Sequence, residues 1–137
     1  MRKNRSLDKI VPLCKAVLNG DIDSFQKLID QGADVNERDY NGLTALWYAA
    51  QQGEYEMIQI LVNHRADLEV RDPFGNTPLS NAVFNYKHTQ YGGDIIEYLI
   101  KAGADINAEN NYGVSPLKLA RTLAGFPFLH LLENNGG

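Results

Sequence analysis

The sequence predicts an all-α fold, a solenoid of four helix-turn-helix repeats in which two central repeats lie between N- and C-terminal capping repeats. Three observations carry that expectation. The phrase Gly32-Ala33-Asp34-Val35-Asn36 returns as Arg65-Ala66-Asp67-Leu68-Glu69 and as Gly103-Ala104-Asp105-Ile106-Asn107, after a step of 33 residues and then one of 38. Leu13, Leu46, Leu79 and Leu117 keep the same register, as do Ala16, Ala49, Ala82 and Ala120, and the glycines Gly42, Gly75 and Gly113. Within a unit, Ile58, Leu61 and Val62 stand at the i, i+3, i+4 spacing of an apolar helix stripe. A unit this short cannot bury that stripe alone, so the copies must stack.

The elements follow in order along a single domain, 1–137. The first repeat, about 6–37, lacks a turn before its first helix, as suits a cap. The second, 38–70, has a turn at Asp39 to Gly42 and then Thr44, a hydroxyl suited to accept from an unpaired amide at a helix start. The third, 71–107, repeats this with Thr77, and the fourth, 108–133, with Ser115. Pro78 and Pro116 then take the first helical position, where a missing N–H costs nothing. Small Ala49, Ala82 and Ala120 let neighbouring helices approach. Gly32 and Gly103 are placed to end second helices in the left-handed region, so Arg65 at the equivalent position must adopt positive φ at a cost of roughly 1 kcal/mol or end its helix differently. A looser end to the second repeat is the expectation.

The five extra residues of the third repeat fall near 85–93, between its two helices. The segment Tyr86-Lys87-His88-Thr89-Gln90-Tyr91-Gly92-Gly93 is too polar for core and reads either as a flexible loop or as an arm that touches a partner. In the last repeat a helix at about 127–133 covers the stack with Phe128, Leu129, Leu131 and Leu132, and 134–137 is expected to be a flexible tail.

The segments Leu43-Thr44-Ala45-Leu46, Asn76-Thr77-Pro78-Leu79 and Val114-Ser115-Pro116-Leu117 resemble the Thr-Pro-Leu-His segment of the ankyrin repeat, and Asp39 to Gly42 and Asp72 to Gly75 resemble the turn before it. The resemblance runs from about 6 to 133. It implies a protein-binding module whose turn tips and first helices form a recognition face. Carried over residue by residue, that face consists of Tyr40, Asn41, Leu43, Trp47, Tyr48, Gln51 and Gln52 from the second repeat, and Pro73, Phe74, Asn76, Phe84 and Asn85 from the third. Asn111, Tyr112, Val114, Thr122 and Leu123 come from the fourth, and Tyr86, His88 and Tyr91 join if the inserted segment is an arm. The chain is also similar to small stand-alone bacterial ankyrin proteins, some of which are immunity proteins that neutralise a toxin. The expected function is therefore binding, with inhibition or neutralisation of one protein partner. Regulation of an endogenous enzyme such as a kinase, or a scaffold role, are the alternatives.

Chemistry is sparse, and the chain reads as a non-enzyme with no cofactor and no metal. His64, His88 and His130 are unpaired in spacing with one another or with ligating residues. No phosphate-binding glycine pattern is present. Asp34, Asp67 and Asp105 recur with the structural period, which fits turn capping better than acid–base catalysis. One cysteine excludes an internal disulfide, and Cys14 fills the His slot of its repeat, where packing is the simplest role. No apolar run approaches a membrane span, and charges interrupt any signal-like core near the start, so the expected location is cytoplasmic.

The formal charge is −4, but residues 1–5 hold three cations and no acid, which leaves 10 Lys+Arg against 17 Asp+Glu in the rest, a balance of −7. Such a body repels phosphate backbones and favours a basic protein partner over nucleic acid. The free chain is expected to be a monomer.

Overall fold

The computed structural model describes residues 10–136, with side chains to residue 134. The basic segment at 1–5 and the expected start of the first repeat lie outside the described residues. Those residues form eight α-helices and no strand. The helices are α1 (Pro12–Leu18), α2 (Ile22–Asp30), α3 (Ala45–Gln52), α4 (Tyr55–Asn63), α5 (Pro78–Phe84), α6 (Gly92–Lys101), α7 (Pro116–Thr122) and α8 (Leu129–Gly136). They pair as hairpins α1–α2, α3–α4, α5–α6 and α7–α8, and the first helices stack in the order α1, α3, α5, α7 to make the inner layer.

The helices α3, α5 and α7 start where hydroxyls cap them. Thr44 Oγ1 accepts from the Trp47 amide at 3.5 Å, Thr77 Oγ1 from Ser80 at 3.3 Å and Ser115 Oγ from Lys118 at 3.1 Å. Asp21 caps α2, and its bonds from the Ser24 hydroxyl and amide hold its carboxyl below the ordinary range. The core runs through the stack: Leu46, Leu79, Ile58, Leu61, Ile95, Ile96 and Leu99 are fully buried, and Ala49, Ala82 and Ala120 are buried on the first helices of their repeats. Burial of this kind is what stabilises each repeat, at roughly 25 cal/mol per Å² of apolar surface.

Arg65 takes the first of its two options. It has φ 67°, the only non-glycine residue with positive φ among those described. Its cap matches those of the glycines: Arg65 N donates to Val62 O and Ala66 N to Leu61 O, as Gly32 and Ala33, and Gly103 and Ala104, do in their own copies. The second repeat therefore ends as tightly as the others, against the expectation of a looser end. Asp34, Asp67 and Asp105 each accept the amide two residues on at 2.9 Å, the turn-capping role.

Two expectations change at the third and fourth repeats. The inserted segment is packed: Tyr86–His88 form a 3-10 turn, and Gly92 and Gly93 already belong to α6. Thr89 lies so close to Gly53 that a Cβ on the glycine would meet Thr89 Cβ at 2.4 Å, and a Cβ on Gly93 would meet the Phe128 ring at 2.5 Å. The insertion thus seats on the second repeat at one point and on the fourth at another. The final helix reaches Gly136, so 134–136 are helical where a flexible tail was expected.

Candidate functional site

The turn tips are rigid for local reasons. In each, one side chain folds back on its own loop: Asp39 Oδ1 accepts from the amides of Asn41 and Leu43, Asp72 Oδ1 from Phe74 and Asn76, and Asn110 Oδ1 from Tyr112 and Val114, all at 2.8–3.1 Å. Backbone bonds close the same loops, with Asp39 N to Leu43 O, Asp72 N to Asn76 O, and Asn110 N to Val114 O. The tips of the third and fourth repeats are then tied together. Arg71 Nη1 donates to Gly75 O and Glu109 O, Asn110 Nδ2 to Asn76 Oδ1, and Asn111 Nδ2 to Pro73 O. Gly75 makes that approach possible, since a Cβ there would lie 2.7 Å from the Asn111 side chain.

These tips hold three rings in water: Tyr40 is 46% exposed, Phe74 56% and Tyr112 73%. Tyr40 stands two residues before its glycine, whereas Phe74 and Tyr112 directly precede theirs, so the rings share the tips without sharing one slot.

Beneath the tips a groove of about 460 Å³ runs along the first helices. Seven of the residues expected on the recognition face line it: Trp47, Gln51, Asn76, Phe84, Asn85, Tyr112 and Val114. Phe84 projects from the end of α5 at 66% exposure. Tyr40, Asn41, Gln52, Pro73, Phe74, Asn111 and Thr122 are exposed outside the groove lining, and Leu123 is half-buried.

Other expected residues go elsewhere. Leu43 and Tyr48 are buried in the core instead of facing outward. The Tyr48 hydroxyl donates to Asp39 Oδ2 and accepts from Asn41 Nδ2, and burial, then the Asp39 bond, raises its pKa. Tyr86 is half-buried in a cluster of edge-to-face rings with Phe126 and Phe128, at 5.0 and 6.0 Å between centroids. Tyr91 lies against Tyr55, 5.6 Å between centroids, yet is 41% exposed, and His88 is exposed three residues before it. The insertion therefore commits Tyr86 to the fold and leaves His88 and Tyr91 exposed.

The groove also contains residues outside the expected recognition face: Asp72, Ser80, Asn81, Asn110 and Leu119. Asn81 is the most informative of them. It is buried, donates to Trp47 O at 3.1 Å across the α3–α5 contact and accepts from Asn85 Nδ2 at 2.8 Å. A polar residue in the slot that holds Tyr48 and Leu119 in the adjacent copies is the signal that marks it. Trp47 is 8% exposed, and its indole N–H has no acceptor among the described residues.

Cys14 is buried on α1, its Sγ 4.0 Å from Leu43 O, and burial, followed by the charges of Asp39 and Glu37, pushes the thiol up to about 12. It is a packing residue. Among the described residues no group of three His, Cys, Asp or Glu is placed to hold a metal ion. No described helix is long and apolar enough to cross a membrane.

Stacked helical hairpins with rigid tips over an open groove define a repeat-solenoid binding protein. A sequence profile described as ankyrin repeats in three copies matches residues 13–110. The chain belongs to the ankyrin repeat family, whose members are typically protein-binding modules.

Proposed function

We propose that this chain is a non-catalytic, cytoplasmic binding module, monomeric when free, that holds one basic protein partner on its tips and groove and inhibits it. Neutralisation of a basic toxin domain is the form of inhibition we infer. The observation that carries the reading is the set of three exposed rings, Tyr40, Phe74 and Tyr112, on turns that their own hydrogen bonds hold rigid. A ring on a fixed turn loses little freedom on binding, and buried aromatics dominate interface energies at about 2 kcal/mol or more each. The balance of −7 beyond residue 5 supports a basic partner, because opposite charge speeds encounter.

The test is co-purification from the native host with the parent chain and with the triple variant Tyr40→Ala, Phe74→Ala, Tyr112→Ala. The parent retains one basic protein and suppresses its activity; the variant does neither, and unfolds within a few degrees of the parent. Equal retention by the variant would remove the tips from the interface. A retained partner whose activity is unchanged would remove inhibition.

A further inference from the structure

The lining of the groove defines its occupant more narrowly than the charge of the whole chain does. It contains no Lys, Arg or His and one carboxylate, Asp72. That carboxylate is not idle: its Oδ1 accepts the Phe74 and Asn76 amides that fix the tip. An ammonium or guanidinium entering here gives up water against apolar walls for a single carboxylate, one of whose oxygens is engaged by its own turn, and an anion meets no cation at all. The walls are instead Trp47, Phe84, Tyr112, Val114 and Leu119, interrupted by amides. The acidity of the chain lies outside the groove, where it acts on encounter and not on what is anchored.

Two polar features identify the occupant as peptide. Asparagine amides line the floor, and the bonds that tie Asn81 to Asn85 and Asn76 to Asn110 leave Asn85 Oδ1 and Asn76 Nδ2 for the donors and acceptors of a main chain. The Trp47 indole N–H, nearly inaccessible and without an acceptor among the described residues, is a buried donor of the kind that folded proteins rarely leave unmade.

Resting on the reading that the groove is the binding face, we propose that it takes an uncharged peptide segment, which inserts one large apolar side chain between Trp47, Phe84 and Tyr112 and gives a backbone carbonyl to the Trp47 indole N–H after a small rotation of the ring. A partner that is basic overall fits this arrangement, its charges lying at the rim and its anchor neutral.

The test uses a phage-displayed library of random linear peptides, selected on the whole chain, and the indole proton of Trp47, the only tryptophan in the sequence. Selected peptides are expected to share one large uncharged apolar residue, to move the indole proton resonance downfield in a saturable way, and to bind Phe84→Ser about tenfold or more weakly. Phe84 is exposed, so that variant retains the parent's unfolding temperature. Peptides that move the indole resonance and depend on Phe84 but share a charged anchor would overturn the inference and leave the groove as the binding face. Apolar binders that depend on Phe84 but leave the indole proton in place would overturn the carbonyl contact. Binders that neither move the indole nor respond to Phe84→Ser would overturn both this inference and the binding reading on which it rests.

Discussion

Replacing Gly53 by Ala tests whether the inserted segment is truly seated on the second repeat. Gly53 and Gly42 have nearly the same backbone, φ 76° and 77°, but a Cβ on Gly42 meets nothing within 4 Å whereas one on Gly53 meets Thr89 Cβ at 2.4 Å and Cγ2 at 2.5 Å. Gly42→Ala therefore reports the conformational cost alone, about 1 kcal/mol. Gly53→Ala adds displacement of a Thr whose Cβ is fixed to the main chain, so the insertion itself must move, at a further 1–3 kcal/mol on the scale of overpacked cores, roughly. For a chain of this length each kcal/mol lowers the unfolding midpoint by about 3–4 °C. Thermal unfolding followed by circular dichroism should then place Gly42→Ala about 3–4 °C below the parent and Gly53→Ala about 6–16 °C below it. Adding Thr89→Gly to Gly53→Ala should recover most of the difference. If the two single variants unfold together, Thr89 does not occupy the space beside Gly53 and the insertion is not packed as described.

Four further outcomes follow from the same geometry. Arg65→Gly should stabilise the chain by about 1 kcal/mol in denaturant titrations, because it removes a Cβ from a left-handed position and leaves the Asn36 Nδ2 to Arg65 O bond intact. Thr77→Ala should cost about 1 kcal/mol in the same assay, through loss of the buried cap on α5. Glu69 accepts the Asp105 amide, but burial, then the charges of Asp105 and Asp67, raise its pKa. A raised carboxyl contributes stability that is full below the unfolded value and is lost as pH rises through the folded one. Glu69→Gln should therefore unfold at a higher temperature than the parent at neutral pH, with the advantage vanishing below about pH 4. Cys14 should resist thiol reagents at neutral pH until the chain unfolds, so that its labelling rate rises in parallel with global unfolding in denaturant.

The repeat pattern made the helix starts legible because Thr44, Thr77 and Ser115 act on amides only three residues away. The same holds for the tips, where Asp39, Asp72 and Asn110 bond within five residues of themselves. Arg65 was legible as a conflict but not in its resolution: the preceding repeat holds the end of α4, with Asn36 Nδ2 donating to Arg65 O and Asn36 Oδ1 accepting the Asp67 amide, in the glycine-like geometry that lets Ala66 N reach Leu61 O. For the groove, the pattern named Trp47, Phe84 and Tyr112 but missed Asn81, whose importance lies in a bond to the preceding helix.

What the chain order determines here is everything set by neighbours a few positions apart: the period, the caps, the turn tips and the apolar side of each helix. Tertiary packing alone decided which side chains remain outside. Tyr86 is taken up by Phe126 and Phe128 some forty positions on, while Phe84 at the end of α5 is left in water. The physical reason is that exposure depends on the area a distant segment covers, and Gly53 meets Thr89, or Gly93 meets Phe128, only once the repeats have stacked.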